Sequence, residues 1–407
     1  MFILSGMWQK IRKNQAVAES NTGAAFSRER KYRRRIQRKD ADGAGQEEEM
    51  IRKLEQEEHK KTRKLWEEIF CEDSKKFLDY YYSVKTEENE IFIIEADGDI
   101  RAMLQLNPYE MVMPGGVKKT NYIVGVATEK AYRGRKFMAR LLHRALEEMY
   151  REHQPFTFLM PAAEAIYAPH GFRFIYHQKR CKIAGKKREF PEGILCRQAE
   201  EKDCCKIAAF AEQYLQERCL VRTRRTVEYY QMMLKEQMSE NGGILLLERE
   251  GQLLGCVYYA EEEEYMEIRE PLLLPEVEKL LGTIVYALTG GEERMILCQA
   301  VEEQMLSEDR AVWEMIPEKP VIMARIVDLK AFLECFRARE AFSEEIAVKD
   351  EILSENCGKW KIEAEEGEVL RVTKEGELGD TDEKVITVEK LVEASCFWNR
   401  VFLNEIV

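Results

Sequence analysis

Between residues 91 and 106 the chain reads IFIIEADGDIRAMLQL, two apolar runs on either side of Asp97-Gly98. An Asp-Gly pair in that setting is a hairpin signal, because both residues tolerate the left-handed backbone of a tight two-residue turn. Pro114-Gly115-Gly116 marks the next turn, and NYIVGVAT (121–128) predicts a third strand. The period then changes. In FMARLLHRALEEMY (137–150), Phe137, Met138, Leu141, Leu142, Ala145, Leu146 and Met149 recur at spacings of one, three and four, the broad apolar stripe of a helix. PFTFLMP (155–161) and GFRFIYH (171–177) predict strands with a helical turn, AEAIYAP, between them. Upstream, residues 50–70 set Ile51, Leu54, Leu65, Ile69 and Phe70 among charges and predict a helix, and SKKFLDYYYS (74–83) a second. The predicted order is helix, helix, three antiparallel strands, helix, strand, helical turn, strand.

The pattern then repeats. ILLLEREGQLLGCVYY (244–259) lies on 91–106 without a gap at an offset of 153, bringing Glu248 onto Glu95 and Gly251 onto Gly98. Two predicted helices, 197–215 and 224–239, precede it. Such repetition predicts a second copy of the same fold. That copy has no Arg/Gly-rich loop between its third strand and its next helix, and it reads as non-catalytic. From residue 320 the texture changes. PVIMARIVDLKAFLECF predicts a strand running into a helix, residues 359–376 a hairpin around Glu366-Gly367, and the last stretch a strand, a helix and an apolar tail ending at Val407. The expected organisation is a catalytic domain over 50–180, a second copy over 181–319 and an α+β domain over 320–407.

Composition narrows the class. Of the 407 residues 45% are hydrophobic and 34% charged, ordinary for a globular protein. No apolar run approaches the ~20 residues that span a bilayer. The eleven cysteines include no CxxC pair and the five histidines form no metal-ligand pattern, so the expectation is reduced thiols in a cytoplasmic protein without a metal. Net charge is −12, but residues 1–46 hold eleven basic and four acidic residues, +7, which leaves −19 on the remainder. An acidic body favours cationic small molecules and repels nucleic acid. The basic run RERKYRRRIQRK (28–39) is the one segment that could bind RNA. Because a domain reads as starting at Met50, residues 1–49 are expected to be a disordered arm or an upstream extension outside the natural fold.

The best candidate for chemistry is VATEKAYRGRKFMARLL, between the third strand and the long helix. A strand that passes through a basic, glycine-containing loop into a helix N-terminus can cradle an anion, because loop N–H groups and the positive helix end converge on it. GxxxxGK[ST] and GxGxxG are both absent, so this is neither a P-loop nor a dinucleotide fingerprint. Taken alone, the stretch reads equally as a solvated basic turn.

The loop resembles the pyrophosphate loop of GNAT acetyltransferases, Arg/Gln-x-x-Gly-x-Gly/Ala. In Arg133-Gly134-Arg135-Lys136-Phe137-Met138 the leading Arg is kept, and Lys136 and Met138 occupy the two small positions. FLMPAAEAIYAPHGFRF (158–174) resembles the Ile-Tyr-x-x-x-Gly-Phe segment of enhanced-intracellular-survival (Eis) type N-acetyltransferases, as do VGVAT, the tandem second unit and a third domain beginning MARIVD. The resemblance covers residues 50–407. It implies two tandem GNAT folds followed by a sterol-carrier-protein-like α+β domain, an α/β and α+β architecture overall, and acetyl-CoA-dependent transfer to an amine.

The resemblance also implies residue roles. Val126, Ala127 and Thr128 with the loop Arg133 to Met138 would hold acetyl-CoA, a backbone amide at Val126 or Thr128 polarising the thioester. Tyr167 would protonate the departing thiolate, and Val407, through its α-carboxylate, would take the proton of the acceptor. Phe70 and Glu72 would line the amine pocket, with Tyr80 to Tyr82 and Glu405 as further candidates. His170, three residues past Tyr167, has no catalytic counterpart in the family and is read as structural. A polyamine or aminoglycoside-like acceptor and a homohexamer follow from the same resemblance, with no nucleic acid or membrane partner. The competing reading is a degenerate scaffold that binds a lipid or a protein partner, favoured by Lys136 and Met138.

Overall fold

The computed structural model describes residues 49–261, 266–292, 295–306, 312–379, 382, 384–395 and 400–405. The basic run at 28–39 and Val407 lie outside the described residues. The first unit opens on β1 (Met50–Lys53), then α1 (Arg63–Ile69) and α2 (Lys75–Ser83). Strands β2 (Glu90–Ala96), β3 (Asp99–Met113) and β4 (Gly116–Thr128) form a meander; α3 (Phe137–Arg151), β5 (Phe156–Leu159), α4 (Glu164–Tyr167) and β6 (Arg173–Ala184) follow.

The start differs from the expected helix over 50–70. Residues 50–53 form an edge strand on β2, with Ile51 opposite Ile94. The charges of this segment suit a helix locally, but the open edge of β2 offers backbone partners and a place for Ile51. Arg52 pins the strand by donating to Glu58 at 2.7 Å and to Glu95 at 2.8 Å. The α-helix begins only at Arg63.

The second unit repeats the series: β7 (Ile194–Gln198), α5 (Cys204–Arg218), β8 (Val221–Thr223), α6 (Val227–Ser239), β9 (Gly243–Arg249), β10 (Gln252–Glu261), β11 (Met266–Leu273), α7 (Leu281–Leu288), β12 (Met295–Gln299) and β13 (Trp313–Ile326). The helix expected over 197–215 starts at Cys204, because residues 194–198 pair with β9 as an edge strand. The anchoring network is repeated as well. Arg197 donates to Asp203 and Glu248, both at 2.8 Å, as Arg52 does to Glu58 and Glu95. Glu55 with Glu58, and Glu200 with Asp203, form equivalent capping boxes. Duplication is thus written in side-chain chemistry as well as in strand order.

One sheet of fourteen strands contains both units, with its main path running β1-β2-β3-β4-β5-β13-β6-β12-β11-β10-β9-β7. The two units exchange their last strands. β13 from the second copy pairs antiparallel with β5 of the first, with Met323 opposite Leu159, while β6 of the first pairs with β12 of the second. The expected boundary at 319/320 therefore falls within a single strand.

The third region has α8 (Leu329–Leu333), β14 (Phe342–Lys349), β15 (Gly358–Ala364), β16 (Arg371–Gly376), β17 (Val385–Thr387), α9 (Val388–Ala394) and β18 (Val401–Phe402). Its four-stranded sheet has the order β16-β15-β14-β17. One apolar cluster joins it to the first unit, running from Phe156 and Phe158 through Ile322 and Phe332 to Trp360 and Leu391. The ten described cysteines are all free thiols, five of them buried.

Candidate active site

β4 is the strand around which the site is built. Its pairing with β3 continues to Thr128, but with β5 only Tyr122 and Phe158 are in register. Beyond Tyr122 the two parallel strands diverge, leaving one edge of β4 without its neighbour. A bulge at Gly125–Val126 sharpens the bend: Met103 faces Ala127 while Gln105 faces Val124. Gly125 has φ +58, and a Cβ there would come within 2.5 Å of the Trp66 ring. Glycine is needed both for the conformation and for the packing of α1 across the strand. Past the bulge, Val126 and Ala127 face opposite sides of the sheet, as neighbours in a strand do. Val126 packs against the cluster that contains Tyr167 and Phe137, and Ala127 belongs to the one that contains Trp66 and Tyr81.

The loop after β4 has the form of an anion cradle. Gly134 has φ 82 and Lys136 φ 63, so two left-handed residues flank Arg135 immediately before α3. Lys136 is the N-cap, and the N–H groups of residues 137–139 open a fifteen-residue helix without helical carbonyl partners. Lysine at 136 thus keeps the backbone shape that glycine would adopt there. Met138 packs against the core of the unit. Arg133 donates to the carbonyl of Thr128 at 3.2 Å, and the Arg135 guanidinium lies 4.5 Å from the Tyr132 ring. Tyr132 hydrogen-bonds Asp97, and Arg101 pairs with Glu129 at 2.7 Å, so the hairpin turn and the loop support each other.

Tyr167 ends α4 on the same face. It is buried, packs edge-on against Phe172 with ring centres 5.9 Å apart, and belongs to the cluster that holds Val126, Phe137 and Met138. Burial pushes its phenol up to about 12, so it stays protonated at neutral pH and can give a proton. Among the described residues none hydrogen-bonds its hydroxyl.

The acceptor-side candidates separate. Phe70 is half-buried against Trp66 at 5.2 Å, and Glu72 is exposed beside it. Tyr80, Tyr81 and Tyr82 are core residues: Tyr81 donates to Gln105 at 3.2 Å, and the Tyr82 hydroxyl meets Thr62 at 3.0 Å. Glu405 is buried and fully engaged. Tyr229 donates to it at 3.0 Å, Thr223 hydrogen-bonds its other oxygen, and Arg225 lies 3.9 Å away.

Glu405 also lines a chamber of about 200 Å3 between the units, with Asn107, Tyr109 and Glu236. Glu236 escaped sequence reasoning because it sits in an ordinary amphipathic helix, and nothing local marks it as buried. Burial, reinforced by Glu240 and opposed by Lys85 and Arg269, raises its carboxyl to about 7. Tyr80 donates to it at 3.2 Å. A larger cavity of about 660 Å3 lies elsewhere, between β6, the end of α5 and β18. Neither cavity is lined by residues 126–138 or by Tyr167. Among the described residues no group of three or more His, Cys, Asp or Glu could hold a metal ion, and no helix is long and apolar enough to cross a membrane.

Residues 50–175 match the family model for an acetyltransferase (GNAT) domain. No curated protein matches the sequence. Several solved structures share the fold. A protein of Enterococcus faecalis V583 described as a probable N-acyltransferase superposes with a TM-score of 0.71 at 16% identity, covering 88% of this chain and 100% of that one. A GCN5-related N-acetyltransferase of Anabaena variabilis gives 0.68 at 16% identity, with 84% and 89% covered. Eis1 of Mycobacterium abscessus gives 0.60 at 14% identity, with 84% and 88% covered. The architecture is the GNAT fold, and the loop at 133–138 and the splayed strand lie inside the matched residues.

Proposed function

We propose that this chain is an acetyl-CoA-dependent N-acetyltransferase whose acceptors are polyamines or aminoglycoside-like amines. The observation that carries the reading is the conjunction at β4. A bulged strand parts from its neighbour, leads into a cradle of left-handed residues at a long helix, and lies in one cluster with a buried, protonated tyrosine. The cradle suits a pyrophosphate, since its backbone shape and three cations, Arg133, Arg135 and Lys136, are all present. Acetyl-CoA supplies the thioester. The unpaired edge of β4, at Val126 or Thr128, offers the amide that would polarise the thioester carbonyl. Attack by the amine breaks the C–S bond, and Tyr167 donates its proton to the thiolate.

The amine must be deprotonated before attack. Glu72 is exposed to solvent and Glu405 is held by three neighbours, so neither is poised as that base. Val407 is the residue the family resemblance proposes. The acidity of the body, −19 outside residues 1–46, supports a cationic acceptor. The scaffold alternative loses its main support at Lys136, whose backbone does what a glycine would do.

The test is a screen of amines with acetyl-CoA, following free thiol and product mass. Acetylated polyamine, with more than one acetyl group on the best acceptors, is the expected result. Thiol release no faster than acetyl-CoA hydrolysis across the panel would overturn the reading.

A further inference from the structure

The turn that carries Tyr167 into β6 is held from three directions. Residues 168–170 form a single 3-10 turn closed by Gly171 at φ +84. A Cβ on Gly171 would come within 2.5 Å of Nη1 of Arg325, so this guanidinium, from β13, is packed directly under the turn. Arg325 is 1% exposed and donates to both oxygens of Asp350 at 2.8 and 3.0 Å. Asp350 is fixed in turn by the N–H groups of Ile352 and Leu353 and by the amide of Asn356. From a second side, Arg173 donates to the carbonyls of Ala168 and Phe172 at 3.0 and 2.7 Å and, through Nε, to Glu393 of α9 at 2.7 Å. From the third, Nδ1 of His170 lies 3.2 Å from Nε2 of His143 on α3, with the rings nearly perpendicular.

We propose that His143, His170 and Arg325 are positioning residues for Tyr167, locking its turn to the helix that opens the anion cradle and to the third region. The proposal rests on Tyr167 being the proton donor. It gives the third region a function in the transfer, that of setting where the phenol sits. It also makes the lock sensitive to acid. One N–H shared between two facing imidazole nitrogens is a hydrogen bond; a second proton sets N–H against N–H. The groups facing the pair are Arg325 and Asp350 from beneath and Glu147 from the next turn of α3. Burial, and then Arg325, hold His143 below its ordinary value of 6.5, with Glu147 and Asp350 opposing. Burial, then His143 and Arg325, do the same to His170. The lock is therefore closed at neutral pH and opens as the solution is acidified.

The experiment uses the full chain, acetyl-CoA and the acceptor that releases most thiol in the amine screen. His143→Phe removes the hydrogen bond; His143→Gln keeps a donor toward Nδ1 of His170 and cannot titrate. Misplacing a reacting group by ~1 Å costs up to ~100-fold. His143→Phe should therefore lower kcat at least ~10-fold while KM for acetyl-CoA stays within ~2-fold. His143→Gln should recover most of the loss and flatten the acid limb of the pH profile. In a Tyr167→Phe background, His143→Phe should add nothing. A kcat within ~2-fold of the parent, equal impairment by both substitutions, or an undiminished effect in the Tyr167→Phe background would each overturn the proposal. If no amine is acetylated, the enzymatic reading fails, and the lock is still read by imidazole NMR. The His170 titration should move upward in His143→Phe, and an unchanged titration would show that the two rings are uncoupled.

Discussion

The two units of this chain share an anchoring chemistry and differ in a loop. Each begins with an edge strand whose arginine bridges a capping-box acid and a glutamate on the next strand: Arg52 with Glu58 and Glu95, Arg197 with Asp203 and Glu248. Each bulges its third core strand, at Gly125–Val126 and again at Arg269. The divergence comes immediately afterwards. In the first unit, two left-handed residues and three cations lead into a fifteen-residue helix. In the second, LLPEVEKLL leads into an eight-residue helix, Val277 fills the core, and Glu276 pairs with Arg249. An acidic, proline-containing connection with Val277 in the core lacks the left-handed, basic form that the proposed pyrophosphate cradle has in the first unit. The comparison teaches that the anchors of the fold are duplicated, whereas the loop after the third strand is basic and left-handed in the first unit and neither in the second.

The largest effect belongs to the unit with the cradle. Tyr167→Phe keeps the ring packing against Phe172 and deletes the donor, so turnover should fall ~10²–10⁴-fold with acetyl-CoA affinity unchanged. A loss below ~5-fold in steady-state assays would assign the hydroxyl to packing, since general acid catalysis contributes far more than that.

The anchors should rank in the opposite sense. Glu248 is 7% exposed and meets both Arg197 and Lys206, whereas Glu95 is 30% exposed. Glu248→Gln should cost about 1.5–3 kcal/mol, the range for a charged hydrogen bond lost in a buried setting. Glu95→Gln should cost below ~1 kcal/mol, as partly exposed pairs do. Urea denaturation of the two variants would break the comparison if Glu95 proved the costlier loss.

Glu236 tests the seam between the units through pH. Its carboxyl titrates at about 7 in the fold against an ordinary 4.5, so the native state binds the extra proton. Its contribution to stability is complete below pH 4.5 and is lost as pH rises through about 7. Glu236→Gln, which stays neutral, should match the parent at pH ~5 and exceed it at pH ~8 by ~1 kcal/mol or more. An advantage of equal size at both pH values would show that the residue does not titrate in this range.

The smallest effect sharpens the loop itself. Lys136 is a non-glycine residue at φ 63, and Lys136→Gly should raise stability by about 1 kcal/mol in thermal unfolding, the strain of a left-handed residue. A loss of stability would mean that the lysine side chain holds the loop more firmly than its backbone strains it.

Much of this was legible in the sequence because it is local. Asp97-Gly98 and Glu250-Gly251 form the expected hairpin turns, and the stripe of α3 predicts its buried face, except that Met138 is only half-buried. The cradle could be read from a basic Gly-containing loop before that stripe. Tyr167 is singled out by its Ile-Tyr-x-x-x-Gly-Phe setting, and the structure buries it against Phe172. What was not legible depends on distant partners. Residues 50–53 become a strand only because β2 has an open edge, and β13 crosses into the first unit only because β5 and β6 leave a gap for it. Arg325 beneath Gly171, and Glu236 between the units, carry no local signature, since each is an unremarkable residue in its own element.

The most direct test is a calorimetric titration of the full chain with acetyl-CoA, repeated with Arg133→Glu and Arg135→Glu combined. The predicted result is one site per chain, lost when the two arginines are reversed in charge. Two sites per chain, or a single site that survives the reversal, would contradict the assignment of acetyl-CoA binding to the first unit.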